Sequence, residues 1–498
     1  MDEEKQILFI DTGLVFLSNL ALQGTVLILR LLIGHYWGAE DLGLYSLAIS
    51  INYILLLLCS FGIPQAAVKF ISEKRSDIHR QKELVTTTLS VAVLSGIVMG
   101  ILLYPLSVLT GEIWKMKDLP ELVSIFLMGL PFSLTFQAVL SVLNGLRELK
   151  YYSFFNTLNA ILILSLTFIA AVLHLPIQYT VWSFVVATVV STLLGFWPLR
   201  HHLTFQSLRS LTSVTSELFR FGIKLMAANS VQIVNTRADL LLVGYFLGKA
   251  PTGYYSIATV LARMLLLIPG AVQVITYPMT SELFGAGKKD RASRFMERSA
   301  FYSFILLSFL GILIIFYCDD FLRSYNPKYL PAVMPLRILT LFFIFYGTTV
   351  SIGGAFASYG RPDIALKLAM ISMILNFSFN VLFIPRWGIG GAALATGLAL
   401  GVFVPSYPFL LRKIIRIRIK LHDFGIASLL FLLLAGVLYL LGKIINPLLA
   451  GGIVFLGGVT IILKFLIKEE LKDYPIVHQT RLQLRQFINS LKCSGRIP

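Results

Sequence analysis

The sequence predicts an all-α integral membrane protein with about fourteen transmembrane helices. Three observations predict this fold class: the composition, the recurrence of long apolar stretches, and the placement of the basic residues. Of the 498 residues, 57% are hydrophobic and only 13% are charged, and the mean hydropathy is +0.81. A soluble domain with so few charged residues could not cover its surface with polar groups.

Apolar stretches recur from one end of the chain to the other, and each is long enough to cross a hydrocarbon core of ~30 Å. They alternate with short polar segments, which are typical of loops between membrane helices. The predicted spans are residues 9–34, 42–68, 84–107, 119–143, 152–173, 179–199, 225–247, 254–283, 299–317, 331–357, 368–385, 389–410, 423–442 and 449–463.

The basic residues predict the orientation of these spans. The loops that follow even-numbered spans hold 23 of the 42 lysines and arginines, whereas the loops that follow odd-numbered spans hold 7. Loops rich in lysine and arginine stay in the cytoplasm, so both termini are predicted to be cytoplasmic and the protein to lie in the cell (inner) membrane. The net charge of +17 is therefore interpreted as a topology signal that contacts anionic membrane lipids, and no nucleic-acid partner is expected.

An internal repeat divides the chain. Residues 34–48 (GHYWGAEDLGLYSLA) and 244–258 (GYFLGKAPTGYYSIA) share three glycines, a Tyr-Ser pair and a final alanine at an offset of 210. We therefore predict an N-lobe of helices 1–6 (1–200), a C-lobe of helices 7–12 (201–417), and a third segment (418–498). This last segment holds helices 13 and 14 and an amphipathic cytoplasmic helix at 481–492. Parallel repeats of this kind are typical of transporters that bind substrate between lobes.

Four stretches together resemble a known family. LRLLIGHYWGAEDLGLYSLA (29–48), ELFRFGIKLMAANSVQIVNTRADLLLVGYFLG (217–248), Pro278 with Ser281, and NFSFNVLFIPRWGIGGAALAT (376–396) occur in an order and spacing similar to those of polysaccharide and lipid-linked oligosaccharide flippases. These belong to the multidrug/oligosaccharidyl-lipid/polysaccharide exporter superfamily. The resemblance implies two lobes in a V around a central cavity lined by helices 1, 2, 7 and 8. It also implies that helices 13 and 14 add a groove for a lipid tail, as in the lipid II flippase branch.

Four arginines fall inside the predicted spans: Arg30, Arg237, Arg263 and Arg337. A charge at bilayer depth is costly and is usually retained for function. If the implied cavity applies, Arg30, Arg237 and Arg263 converge there and form a substrate site for a phosphate or pyrophosphate, because guanidinium groups bind phosphate oxygens in pairs. The alternative for Arg30 is that it extends to the outer membrane interface, and Arg337 is expected to do so.

Asp239 is the only acidic residue predicted to lie deep in the membrane, and it is our candidate for coupling to protons or sodium. The alternative is a structural ion pair with an arginine on another helix. Arg237 is only two residues away, and side chains at that spacing diverge on a helix. Asn376 and Asn380 share a helix face and are predicted to bond between helices.

Catalytic and cofactor motifs are absent from the sequence. It has no phosphate-binding GxxxxGK[ST] loop, no catalytic Ser-His-acid set, and no metal-ligand spacing among its three cysteines and seven histidines. We therefore expect no enzyme activity, no metal and no cofactor.

The predicted function is translocation of a lipid-linked oligosaccharide or polysaccharide precursor from the cytoplasmic to the outer leaflet by a monomer. The first alternative is a cation-coupled multidrug exporter, which should have twelve helices and an acid-rich cavity. A weaker alternative is a membrane-embedded glycan ligase or polymerase, which should carry a large extracytoplasmic loop.

Overall fold

The computed structural model describes residues 3–74, 77–204, 208–415, 425, 428 and 429, and the regular elements within these residues are helical. Seventeen α-helices are formed there, some of them joined by short 3₁₀ turns. They are α1 (Glu3–Tyr36), α2 (Gly38–Cys59), α3 (Ile63–Glu73), α4 (Ile78–Leu103), α5 (Ser107–Trp114), α6 (Leu119–Met128), α7 (Leu130–Gly145), α8 (Leu149–Val172), α9 (Gln178–Leu199), α10 (Leu208–Leu247), α11 (Lys249–Arg263), α12 (Leu267–Gly285), α13 (Lys289–Tyr325), α14 (Val333–Ser351), α15 (Ala355–Ser358), α16 (Pro362–Gly401) and α17 (Phe403–Leu410).

The first twelve predicted spans are all observed as helices, which confirms the predicted fold class. The last two spans and the amphipathic helix at 481–492 lie outside the described residues, apart from residues 425, 428 and 429. Eight helical segments of the described chain are long and apolar enough to cross a membrane, or nine if the bent pair α6–α7 is one span.

Several spans are broken rather than straight. Phe61 and Gly62, with φ of 50° and 68°, separate α2 from α3. The axes of α6 and α7 differ by 51°. Helix α16 covers two predicted spans and turns sharply at Gly388, whose φ of 58° and ψ of −142° are accessible mainly to glycine. This turn brings the two arms of α16 back against each other.

The two lobes repeat the same helix packing. In the N-lobe α1 packs on α8 and α4 packs on α7, and in the C-lobe α10 packs on α16 and α13 packs on α14. In the predicted six-helix repeat, the pair α10–α16 corresponds to the pair α1–α8, and the pair α13–α14 corresponds to the pair α4–α7. The exact boundaries of the lobes stay a prediction.

The interface between the lobes is formed mainly by α2, α3 and α4 of the N-lobe against α10 and α11 of the C-lobe, with α1 also contacting α11. At the end of the molecule that carries the α1–α2 turn, backbone of α2 contacts backbone of α11 around Gly43 and Gly253. At the opposite end, Gly62 lies against Gly222, and Arg80 of α4 forms a 2.6 Å ion pair with Glu217 of α10. The lobes therefore touch at both ends of this interface.

Candidate functional site

Arg30 lies at the interface between the lobes. It projects from α1 and is only 8% exposed. Its Nη1 donates to the Oγ of Ser256 at 2.9 Å and to the carbonyl oxygen of Ser256 at 3.1 Å, so an N-lobe arginine is held by a C-lobe serine. The alternative that Arg30 extends to the membrane interface is therefore wrong.

Arg237 and Arg263 lie near Arg30, on α10 and α11. The guanidinium of Arg237 lies 4.3 Å from the ring centre of Tyr53, which is a cation–π contact between the lobes. Arg263 donates from Nη2 to the carbonyl oxygen of Thr236 at 3.2 Å. Arg237 and Arg263 both lie within the range of electrostatic interaction with Arg30. The structure thus brings together the three arginines that the sequence singled out.

The partners of these arginines are neutral. Within the described part of the chain, none of the three forms an ion pair. Asp239 is near enough for its charge to act on Arg237, but the two residues do not bond, as their spacing of two along the helix predicts. A cluster of arginines without ion pairs favours an anion, because burying unpaired charges costs free energy that a negative ligand would recover.

Arg337 has a different environment from the other three. Its Nη2 forms a 2.6 Å ion pair with Asp319, and its Nε donates to the carbonyl oxygen of Ile315 at 3.0 Å. Its side chain is 41% exposed. The prediction that Arg337 sits near the surface is consistent with this exposure, but its pairing with Asp319 at the end of α13 was missed.

Asp239 lies at the centre of a buried polar cluster in the C-lobe. It is 1% exposed, and its Oδ2 accepts hydrogen bonds from the hydroxyls of Tyr255 at 2.9 Å and Thr396 at 3.4 Å. Its Oδ1 accepts from the backbone N–H of Leu240 at 2.8 Å. No arginine pairs with it in the described residues, so the alternative of a structural ion pair is wrong. In the sequence Tyr255 stood out only as a repeat position and Thr396 only as the end of the 376–396 stretch, and their role here was missed.

Asn376 and Asn380 extend this cluster. Asn376 donates from Nδ2 to Thr396 at 3.3 Å, across the two arms of α16, which confirms the predicted bonding between helices for Asn376. Asn380 donates from Nδ2 to the carbonyl oxygen of Asn376 at 2.8 Å. The Oδ1 of Asn380 is buried and has no hydrogen-bond partner among the residues that the structure describes. Asn380 is linked to the Asp239 carboxylate through Asn376 and Thr396, so this free acceptor belongs to the same polar cluster as the buried carboxylate.

No group of three or more His, Cys, Asp or Glu side chains able to hold a metal occurs in the described ranges. The candidate site therefore consists of two parts. One is the arginine cluster, formed by Arg30, Arg237 and Arg263 between the lobes. The other is the aspartate cluster, formed by Asp239, Tyr255, Asn376, Asn380 and Thr396 inside the C-lobe.

Comparisons with known proteins place the chain among glycan-related membrane proteins. A family described as polysaccharide biosynthesis protein matches residues 9–284, which is more than half of the chain, and a family described as MatE matches residues 225–382. The probable low-salt glycan biosynthesis flippase Agl15 of Haloferax volcanii is 23% identical over 81% of this chain and 83% of that protein. The lipopolysaccharide biosynthesis protein WzxC of Escherichia coli K12 is 27% identical over 79% of this chain and 75% of that protein.

A solved structure shows the same fold. The lipid II flippase MurJ in an inward closed conformation superposes with a TM-score of 0.75 over 91% of this chain and 100% of that chain, at 19% identity. At this identity the likeness establishes the fold alone.

Proposed function

The chain belongs to the polysaccharide biosynthesis protein family of the multidrug/oligosaccharidyl-lipid/polysaccharide exporter superfamily, and from this premise we propose that it is a flippase for a lipid-linked oligosaccharide or polysaccharide precursor. Its similarity to Agl15 and WzxC, whose names refer to glycan and lipopolysaccharide biosynthesis, supports this cargo class.

The observation that carries the proposal is the arginine cluster. A lipid-linked oligosaccharide has a phosphate or pyrophosphate between its sugar and its lipid. Arg30 projects from the N-lobe, and Arg237 and Arg263 project from the C-lobe, so an anion bound by all three would be held by both lobes. Hydrogen bonds between guanidinium groups and phosphate oxygens are about twice as strong as those between neutral groups.

The charge asymmetry of the loops supports an orientation of the chain in the membrane, and with it a direction of transport. We place the basic end, with the α3–α4 loop and both termini, in the cytoplasm of the cell membrane, where anionic headgroups stabilise lysine and arginine. The cargo then enters from the cytoplasmic leaflet and leaves at the end that carries the α1–α2 turn. A monomer suffices, since both halves of the site belong to one chain.

Coupling to an ion gradient is assigned to the aspartate cluster. The Asp239 carboxylate, the Thr396 hydroxyl and the unpartnered Oδ1 of Asn380 are oxygen ligands of the kind that bind sodium, and the carboxylate alone could instead take up a proton. Tyr255 of α11 donates to Asp239, and α11 also contacts the N-lobe. Binding of a cation to Asp239 would therefore act on a helix at the interface between the lobes.

The second candidate function is a cation-coupled multidrug exporter, which the match of residues 225–382 to the MatE family favours. The arginine cluster argues against it, because three arginines that form no ion pair with the described residues would repel cationic drugs. A glycan ligase or polymerase is weaker still, since the loops between the described helices are short and no catalytic set of residues was found in the sequence.

Arg263→Ala tests the proposal, with Arg337→Ala as its matched control. We expect Arg263→Ala to slow flipping of a fluorescent polyprenyl diphosphate sugar in proteoliposomes by about tenfold or more, because a hydrogen bond to a charged group contributes about 1.5–3 kcal/mol. Arg337→Ala removes an arginine of the same type whose partner is Asp319, and it should change the rate less than about twofold. Equal rates for both variants at equal protein levels would contradict the arginine cluster as the cargo site.

A further inference from the structure

The two copies of the internal repeat contact each other at the interface between the lobes. A Cβ on Gly43 of α2 would overlap the carbonyl of Lys249, and a Cβ on Gly253 of α11 would overlap the carbonyl of Ala39. Both glycines and both carbonyl residues are 210 positions apart, so the contact is reciprocal. We call these four residues the glycine contact. It lets two helix backbones touch, as small residues four apart do in membrane helices.

A second symmetric pair lies three residues further along each helix. The Oγ atoms of Ser46 and Ser256, again 210 positions apart, are hydrogen bonded at 2.8 Å, and both residues are 0% exposed. This pair joins identical positions of the two repeats. It therefore marks the pseudo-twofold axis between the lobes.

Arg30 breaks this symmetry. It bonds to the Oγ and the carbonyl oxygen of Ser256, and the position 210 residues later is Leu240, which offers no matching bond to Ser46. Arg30 is thus a charged N-lobe side chain that reaches across the axis to the C-lobe. We call Arg30, Ser46 and Ser256 the arginine latch.

We propose that the arginine latch keeps the lobes closed at the end that carries the α1–α2 turn, and that the anionic group of the cargo opens it by taking Arg30 from Ser256. Ser256 is then a positioning residue for Arg30. The inference rests on the proposed function, because it uses the same arginine and the same anion. It adds the event that links binding to opening.

The physical reason is competition between acceptors. Arg30 is bonded to a neutral hydroxyl and a neutral carbonyl, whereas phosphate oxygens accept stronger, charge-assisted bonds. When Arg30 binds phosphate instead of Ser256, the arginine latch keeps only the hydrogen bond between Ser46 and Ser256. A ligand shifts a conformational equilibrium only through such a difference in affinity between the two states.

Spin labels on the two lobes can follow this opening in the purified full chain. We would place them at Lys117→Cys in the N-lobe and Lys328→Cys in the C-lobe, both exposed at this end, after replacing Cys59, Cys318 and Cys493 with serine. The probe is geranylgeranyl diphosphate, and geranylgeraniol is the uncharged control. A Glu40→Cys and Lys117→Cys pair within the N-lobe should keep one distance throughout.

With Arg30 present, we expect geranylgeranyl diphosphate to add a longer inter-lobe distance that geranylgeraniol does not add. Arg30→Gln should show the longer distance without any lipid, with the ratio of closed to open molecules lowered about tenfold, as expected for the loss of a hydrogen bond from a charged group. Ser256→Ala should shift the ratio in the same direction by less, because the carbonyl acceptor remains.

Two other results would overturn the latch. One is an unchanged distance distribution in both Arg30→Gln and Ser256→Ala. The other is that the diphosphate lengthens the inter-lobe distance in Arg30→Gln as much as in the parent chain. In that case Arg30 would not be needed for opening, although Arg237 and Arg263 could still bind the anion. A third result is that Arg30→Gln opens the lobes but the diphosphate has no effect on the parent chain. This result would contradict both the release of Arg30 by an anion and the anionic cargo of the proposed function.

Discussion

The two copies of the repeat agree in backbone and differ in charge. Residues 29–30 of α1 are Leu-Arg, and the equivalent residues 239–240 of α10 are Asp-Leu. Around them Gly34 corresponds to Gly244, and the Tyr-Ser pair at 45–46 corresponds to the pair at 255–256. The N-lobe copy thus places a cation at the interface between the lobes, whereas the C-lobe copy places an anion inside its own helices.

This difference distinguishes the positions that pack the two lobes together from the positions that carry function. The positions that remained alike, the glycines and the serines, form reciprocal contacts between the lobes. The positions that diverged carry the buried charges, which are costly in a membrane and need a functional reason. The comparison predicts that substitutions at symmetric positions act equally in both lobes, and that substitutions at diverged positions act in one lobe only.

The largest effect is expected where the charge differs. Asp239→Asn keeps an acceptor for Tyr255 and Thr396 but removes the negative charge. We expect flipping driven by a sodium or proton gradient to fall about tenfold or more, to the rate seen without a gradient. The equivalent N-lobe substitution, Leu29→Met, should leave the gradient effect unchanged. Gradient-driven rates in proteoliposomes measure this, and a normal gradient response in Asp239→Asn would show that coupling lies elsewhere.

A smaller effect is expected at the tyrosines. Tyr255→Phe removes the hydroxyl that donates to Asp239 at 2.9 Å, and a hydrogen bond to a charged group contributes about 1.5–3 kcal/mol. Tyr45→Phe changes the equivalent residue, which has Leu29 in place of that carboxylate. We expect the midpoint of cation activation to shift about tenfold in Tyr255→Phe and less than about threefold in Tyr45→Phe. Equal shifts would mean that the two copies have not diverged as we infer.

The smallest effect is expected at the glycines, and it should be the same in both lobes. Gly43→Ala and Gly253→Ala each add a methyl group where backbone atoms already touch, which costs about 1–3 kcal/mol. Both should lower the melting temperature of the purified protein by similar amounts. Gly24→Ala is the control, because nothing lies within 4 Å of its added Cβ. A stable Gly43→Ala beside an unstable Gly253→Ala would contradict the reciprocal contact.

Much of the fold could be predicted from the sequence, because membrane spans are long, apolar and separated by charged loops. The repeat was visible in the sequence because both copies keep a glycine, Gly43 and Gly253, where an added Cβ would overlap the backbone of the facing helix. The arginine cluster could be proposed because charges are rare in spans. Its partners could not, since Ser256, Tyr53 and Thr236 are ordinary helix residues whose contacts depend on how the lobes pack.

The aspartate cluster shows the same limit. Asp239 stood out as a buried acid, but Thr396 reaches it only because α16 turns back at Gly388. The pairing of Arg337 with Asp319 likewise depends on the ends of α13 and α14 meeting in space. Both contacts join residues on different helices, and helical periodicity carries no information about such contacts.

The central claim is that the three arginines bind the anionic group of a lipid-linked cargo between the lobes. Native mass spectrometry of the purified chain with geranylgeranyl diphosphate and geranylgeraniol tests it most directly. We predict that the chain binds the diphosphate more tightly than the alcohol, and that Arg263→Ala weakens diphosphate binding about tenfold without changing alcohol binding. Equal affinities for the two lipids, or diphosphate binding unchanged in Arg263→Ala, would contradict it.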